Sequence, residues 1–324
     1  MNLSRKHTLV LLALSAALAL AATGCGSSCP FRKACTASAA QPALEQDTRP
    51  HAVVVIGEDH FYGAIDSLWE LAQALQTHYG FRTTVLQATS RTSIPGLQAL
   101  DDADIAIFFI RRRVLSKASL AHVRDYLAAG KPLVAFRTTS HAFATMKQAF
   151  AVSADTTGHK ADKKAEQAQA ASDRDPWPLF DRQVLGGFYQ GYYLGETLTS
   201  IPDQQQNHPI LKGVGGPHQS RETLYINLPL AATAKVLMMG KAVDGTGDDK
   251  RYRLQTDKEH IDQPVAWTNE YHGGKIFYTS MGNGQAAFKQ PWFRRMVINA
   301  IYWGLEKTAP DVPDQAYVAP EAAH

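Results

Sequence analysis

The chain has 324 residues, 45% of them hydrophobic, with 33 Lys and Arg against 30 Asp and Glu and a formal net charge of +3. A balance this close to neutral argues against a nucleic-acid partner, which requires a basic face. The three cysteines, Cys25, Cys29 and Cys35, all precede the folded part. That composition excludes thiol catalysis and a thiolate zinc site in the core, and a Cys29–Cys35 disulfide would close only a small loop in the leading tail.

Arg5 and Lys6 precede an apolar run from Leu9 to Ala22. A basic n-region followed by an h-region too short to span a bilayer reads as a signal peptide over residues 1–24. The run ends Ala22-Thr23-Gly24-Cys25, which resembles the lipobox of bacterial lipoproteins, with Ala22 where such boxes more often carry Leu. Cys25 is then the expected lipidation site, an ordinary cleaved secretory signal being the alternative. Gly26 after it resembles the outer-membrane sorting pattern. The expectation is an exported protein anchored to the cell envelope through Cys25, at the outer membrane and facing the periplasm or the surface. Residues 25–50, rich in Ser, Ala, Gln and Thr, fit a flexible tether.

A domain over 51–308 follows, with a tail over 309–324. Ala52 to Gly57 is a continuous β-branched run, the pattern of a strand buried on both faces. Ile65 to Tyr79 carries a helical stripe (Leu68, Leu71, Ala72, Leu75) closed by Gly80, and Phe81 to Leu86 reads as a second strand. Leu97 to Ala103 reads as a short helix and Asp104 to Ile110 as a third buried strand running into Arg111, Arg112 and Arg113. Ser116 caps a helix through Ala129, with Gly130 closing it. Lys131-Pro132 then opens a fourth strand, which runs straight into Arg137-Thr138-Thr139-Ser140-His141. Strand alternating with helix predicts an α/β fold: a flavodoxin-like, doubly wound, mostly parallel sheet in three layers, with extra β elements in the C-terminal half.

Val152 to Asp175 is polar and reads as an exposed insertion. From Trp177 to Gly195, glycines 186, 187, 191 and 195 alternate with Phe188, Tyr189, Tyr192 and Tyr193. This suggests a sharply bent loop whose flat rings line a sugar pocket, or else a satellite aromatic cluster. Leu198–Ile201, Thr223–Ile226 and Lys235–Met239 read as strands. Val265–Glu270 and Lys275–Ser280 read as a hairpin about residues 271–274, and Phe293–Leu305 as a closing amphipathic helix.

In an open parallel sheet, ligands lie outside the carboxyl ends of the strands. Those ends carry Glu58, Asp59 and His60 after the first strand, Arg111 to Arg113 after the third, and Arg137, Ser140 and His141 after the fourth. Glu58, Arg137 and His141 are the expected catalytic group. His141 would act as acid/base, Glu58 as the carboxylate that orients it, and Arg137 as the stabiliser of a keto or hydroxyl oxygen. The alternative is structural, with Arg137 bridging to Glu58 and His141 capping a helix from Ala142. Asp59, Ser140, Arg111, Tyr189 and Tyr192 are expected to bind substrate. Among the arginines Arg111 is the better candidate, with Arg112 and Arg113 facing solvent. Ser140 as a nucleophile lacks the flanking glycines of a nucleophile elbow. A divalent metal on His60, His141, His208 and Glu58 has suitable ligand types but no short two-histidine spacing, and no cofactor is expected.

The C-terminal stretch, Pro264-Val265-Ala266-Trp267-Thr268-Asn269-Glu270-Tyr271 followed by Gly273-Gly274-Lys275-Ile276-Phe277-Tyr278-Thr279-Ser280-Met281-Gly282, then Phe293-Arg294-Arg295 and Asn299-Ala300-Ile301-Tyr302-Trp303, resembles the ThuA-like (trehalose utilisation) family of the class I glutamine amidotransferase-like fold. Val55-Ile56-Gly57-Glu58-Asp59, Arg137 to His141, Leu185-Gly186-Gly187, His208-Pro209-Ile210 and Thr223-Leu224-Tyr225 occur in that family's order, so that the resemblance covers nearly all of 51–306. It implies a small-molecule carbohydrate as ligand, such as a glycoside or a 3-keto sugar, and an isomerase- or hydrolase-like activity. It also adds His208 and Asn283 to the substrate-binding candidates. Amidotransferases of this fold place a cysteine after the strand where this chain has none, so glutamine hydrolysis is ruled out. Tyr192 stands where the family commonly has histidine, and Asn283 and Ala287 stand where it commonly has Gly-His and an acidic residue. These departures leave a non-catalytic carbohydrate-binding or scaffold lipoprotein as the rival, with a Ser140 hydrolase as a third reading.

Overall fold

The structure is a computed structural model that describes residues 47–58, 63–148 and 173–311. The signal peptide, Cys25, the Cys29–Cys35 pair, Asp59, His60 and most of the polar insertion fall outside the described residues. Among the described residues no helix is long and apolar enough to cross a membrane.

Nine strands form one mixed sheet. In chain order the strands are β1 (His51–Gly57), β2 (Arg82–Gln87), β3 (Ile105–Ile110), β4 (Leu133–Phe136), β5 (Gly191–Tyr193), β6 (Glu196–Ser200), β7 (His218–Ser220), β8 (Leu224–Ile226), β9 (Lys235–Val243), β10 (Gln263–Tyr271) and β11 (Gly274–Thr279). The sheet order is β2-β1-β3-β4-β11-β10-β9-β6-β7, while β5 and β8 pair separately. From β2 to β11 the pairings are parallel, and from β11 to β7 they are antiparallel. Three helices matter for the site: α1 (Ala64–His78), α2 (Lys117–Ala128) and α3 (Pro291–Gly304).

The unbroken apolar strands make sense once both faces are covered. Ala52, Val54 and Ile56 of β1, Ile105, Ile107 and Phe109 of β3, and Val134 and Phe136 of β4 join one core with α1 and α3. The intervening Val53 and Val55, Ala106, Phe108 and Ile110, and Leu133 and Ala135 join a second core with α2 and residues 177–185. A period of two therefore splits each strand between two apolar layers. Ser116 caps α2 by accepting from the Ser119 amide at 3.2 Å, as expected.

The predicted hairpin is present, with Tyr271 opposite Gly274 and a turn of His272 and Gly273, both at positive φ. Gly274 is required by packing, since a Cβ there would lie 2.7 Å from the Gly130 carbonyl carbon. Strand β10 begins two residues earlier than its apolar pattern suggested. Pro264 fits inside it because the register with β9 shifts there. The three-residue strands β5 and β7 are too short to carry a periodic signal.

Candidate active site

Strand β2 lies on one side of β1 and β3 on the other, so the winding reverses at β1. The residues that follow β1, β3 and β4 at their carboxyl ends form the rim expected to hold a ligand. Glu58, after β1, is 2% exposed. The ends of β3 and β4 are laced together. Thr139 Oγ1 donates to the Phe108 carbonyl and accepts from the Ile110 amide, while the Arg112 amide donates to the His141 carbonyl at 3.0 Å. Both Arg112 (φ 52°) and Arg137 (φ 39°) sit in left-handed backbone, a strained conformation for residues with a Cβ that persists where surrounding structure holds it.

Arg137 is buried, and its carboxylate partner in the structure is Glu222, just ahead of β8. Nη1 lies 3.2 Å from Glu222 Oε2 and donates to the Ser280 carbonyl at 2.8 Å. Nη2 donates to Thr223 Oγ1 at 3.0 Å, and the guanidinium lies over the Tyr225 ring at 4.4 Å. The Asn283 amide donates to the same Glu222 oxygen at 2.8 Å, which puts Asn283 on the rim. The sequence offered no means to find Glu222, since it is polar and flanked by Arg221 and Thr223 in no recognisable spacing.

Ser140 Oγ donates to the Arg137 carbonyl at 3.1 Å and lies 3.1 Å from His141 Nδ1. With the hydroxyl proton directed to the carbonyl, Nδ1 is the protonated nitrogen and Nε2 keeps its lone pair, an assignment that follows from the hydrogen-bond pattern. In that arrangement Ser140 Oγ accepts a hydrogen bond from the imidazole Nδ1–H. A serine nucleophile needs the opposite. The imidazole packs at 4.6 Å from the Tyr189 ring, which in turn packs 4.6 Å from Tyr225. Burial, then the charges of Arg112, Arg111 and Arg137, push the His141 pKa well below its ordinary value, so the ring is neutral at physiological pH.

The glycine-aromatic segment turns on Asp181, a residue the sequence pattern did not single out. Its carboxylate accepts from the Arg182 amide at 2.8 Å and the Tyr189 amide at 3.1 Å, tying the bend at Gly186 and Gly187 so that Tyr189 meets His141. Burial raises its pKa to about 7. The rings of this segment divide between the two expected roles. Tyr189 joins the site, whereas Phe188 lies under Arg182 at 3.6 Å beside a separate cavity of about 400 Å³. Tyr192 is half exposed and pairs across the β5–β8 ladder from Tyr225.

Two expectations are corrected. Arg112 and Arg113 do not simply face solvent: Arg112 is half-buried with Nε and Nη1 covered, and Arg113 is 1% exposed, its amide bonded to the Ala142 carbonyl. His208 is not at the rim. Its Nδ1 accepts from the Ile210 amide and its ring packs 6.0 Å from Trp303, at the end of α3 beside the amino ends of the parallel strands. Of the four candidate metal ligands, His208 thus lies away from His141 and Glu58, and His60 is outside the described residues. Among the described residues no three His, Cys, Asp or Glu side chains form a cluster able to hold a metal.

The family model for ThuA, described as trehalose utilisation, matches residues 52–304. The chain belongs to the ThuA family. Two solved ThuA-like proteins share the fold. One, from Parabacteroides merdae, is 14% identical with a TM-score of 0.55 and covers 82% of this chain and 93% of its own. The other, from Bacteroides uniformis, is 16% identical with a TM-score of 0.51 and covers 79% and 92%. No curated protein matches the sequence. At these identities the likeness to the solved ThuA-like proteins speaks for the fold alone.

Proposed function

We propose that this ThuA-family protein is an exported, lipid-anchored envelope protein that acts on a carbohydrate, a glycoside or 3-keto sugar, by acid/base chemistry at a flavodoxin-like switch-point rim. The observation that carries the reading is His141: buried, held neutral, with Nδ1 on Ser140 and the partly exposed Tyr189 ring beside it, backed by the buried Tyr225. A neutral imidazole with a free Nε2 is suited to take a proton from a sugar hydroxyl or from carbon next to a keto group. Aromatic faces suit the C–H faces of a pyranose. Glu58 supplies a carboxylate close behind the rim. Arg137, buried with its charge met by Glu222, acts by fixing the turn that carries Ser140 and His141 rather than by stabilising a substrate oxygen.

The test is turnover of glucosides and 3-keto-glucosides by the wild type, His141→Ala and Glu58→Gln. The expected result is turnover lost in the histidine variant and reduced in the glutamine variant. Unchanged turnover in both, with sugars still raising the melting temperature, would favour the second reading, a non-catalytic carbohydrate-binding lipoprotein. That reading is supported by Tyr192 and Asn283, which stand where the resemblance leads one to expect histidines. Anchoring is tested by labelling cells with a radioactive fatty acid. Label in the protein that disappears in Cys25→Ala supports the lipid anchor, and release of unlabelled wild-type protein would reject it.

A further inference from the structure

The three arginines that follow β3 differ in exposure, and Arg113 shares with Arg112 two covered guanidinium nitrogens, Nε and Nη1, without a hydrogen-bond acceptor among the described residues. Arg113 is buried and Arg111 is half-buried beside Gly57, whose carbonyl its amide bonds at 3.0 Å. Arg112 is also half-buried, but its Nε and Nη1 are covered from solvent and reach no hydrogen-bond acceptor among the described residues. Covering guanidinium nitrogens without an acceptor is costly. Arg112 is nevertheless held there by a left-handed backbone and by its amide on the His141 carbonyl. Arg137, in the turn after β4, has Glu222 to balance its charge. Arg112 makes no ion pair with a carboxylate among the described residues, and the titratable and charged groups that act on it are Arg111, Arg91 and the tyrosines 189 and 225.

We infer that Arg112 is the receptor for a negatively charged oxygen group on the substrate, a carboxylate or a phosphate, so that the ligand of this site is an acidic sugar rather than a neutral one. The inference rests on the carbohydrate reading of the same site. A guanidinium offers planar, charge-assisted donors to such a group, and the partly exposed Tyr189 ring beside His141 offers an aromatic face to a sugar ring. The arrangement also couples binding to chemistry. Burial and then the charges of Arg112, Arg111 and Arg137 keep His141 unprotonated; a bound anion would offset the arginine part, so Nε2 becomes a better base when substrate is in place.

Calorimetric titration of the full-length protein with glucose, glucuronate and glucose 6-phosphate, at low and high salt, tests this for the wild type, Arg112→Gln and Arg112→Lys. At least one acidic sugar should bind about tenfold more tightly than glucose. The preference should weaken with salt, vanish in Arg112→Gln and survive in part in Arg112→Lys. Preference for glucuronate or for the phosphate identifies which oxyanion is recognised. Equal binding of glucose and both acidic sugars, unaltered in Arg112→Gln, overturns the inference and leaves the carbohydrate reading standing. Failure of every sugar to bind overturns both. Should Arg112→Gln not fold, the salt dependence of the wild-type preference decides, and a preference indifferent to salt rejects the inference.

Discussion

Arg137, in the turn after β4, and Glu222, 85 residues further along the chain, meet at 3.2 Å with both side chains sealed from solvent. The pair joins the turn carrying Ser140 and His141 to the segment ahead of β8, and through the Asn283 amide to the loop after β11. Breaking a buried pair from one side leaves a charge without compensation. Glu222→Gln or Arg137→Met alone should each lower the unfolding free energy by about 3–5 kcal/mol. The double variant Arg137→Met/Glu222→Leu should be less destabilised than the sum, read by denaturant titration. Strictly additive losses would show that the two side chains do not act as a pair.

The neutral state of His141 sets one pH dependence. Its folded-state pKa is depressed, while the unfolded chain protonates its histidines near pH 6.5. The stability this residue contributes is therefore complete above about pH 6.5 and is lost as the pH falls below it, at up to about 1.4 kcal/mol per pH unit. His141→Phe removes that loss. Between pH 7 and 5 the wild type should lose more stability than the variant, and parallel curves would contradict the buried neutral imidazole.

Asp181 works in the opposite direction. Its pKa is raised from 3.8 to about 7 by burial, so its contribution is present in full below about pH 3.8 and is lost as the pH rises through 7, a span on the order of 4 kcal/mol. Asp181→Asn retains an acceptor for one of the two amides it bonds and cannot ionise. The variant should gain on the wild type as the pH rises from 5 to 8, measured by thermal unfolding. A difference that does not change with pH would rule out an ionising Asp181.

Gly187 is constrained by space. A Cβ there would lie 2.5 Å from Trp267 Cζ2, and the indole is pinned by its own hydrogen bond to the Leu185 carbonyl at 2.6 Å. Gly187→Ala should cost about 2 kcal/mol through overpacking. It should also disturb the Tyr189–His141 contact, visible as increased accessibility of the His141 ring to chemical modification.

What the sequence determined by itself was β1 to β4 with α1 and α2 between them, the β10–β11 hairpin and the closing helix α3. These are written in local periods and caps. A strand buried on both faces shows as an unbroken apolar run, and a helix as a stripe with a cap at its end, whatever lies elsewhere in the chain. The same local logic put Glu58, Arg111, Arg137, Ser140 and His141 at the carboxyl ends of β1, β3 and β4, which the strand order sets side by side. The tertiary structure alone decided which partners those residues have. It paired Arg137 with Glu222, set Ser140 rather than a carboxylate against His141 Nδ1, brought Asp181 in to hold Tyr189 on the imidazole, and carried His208 to the far end of the sheet. Each of these depends on segments tens of residues apart being folded against one another, and ion pairs and ring contacts across such gaps leave no period in the sequence.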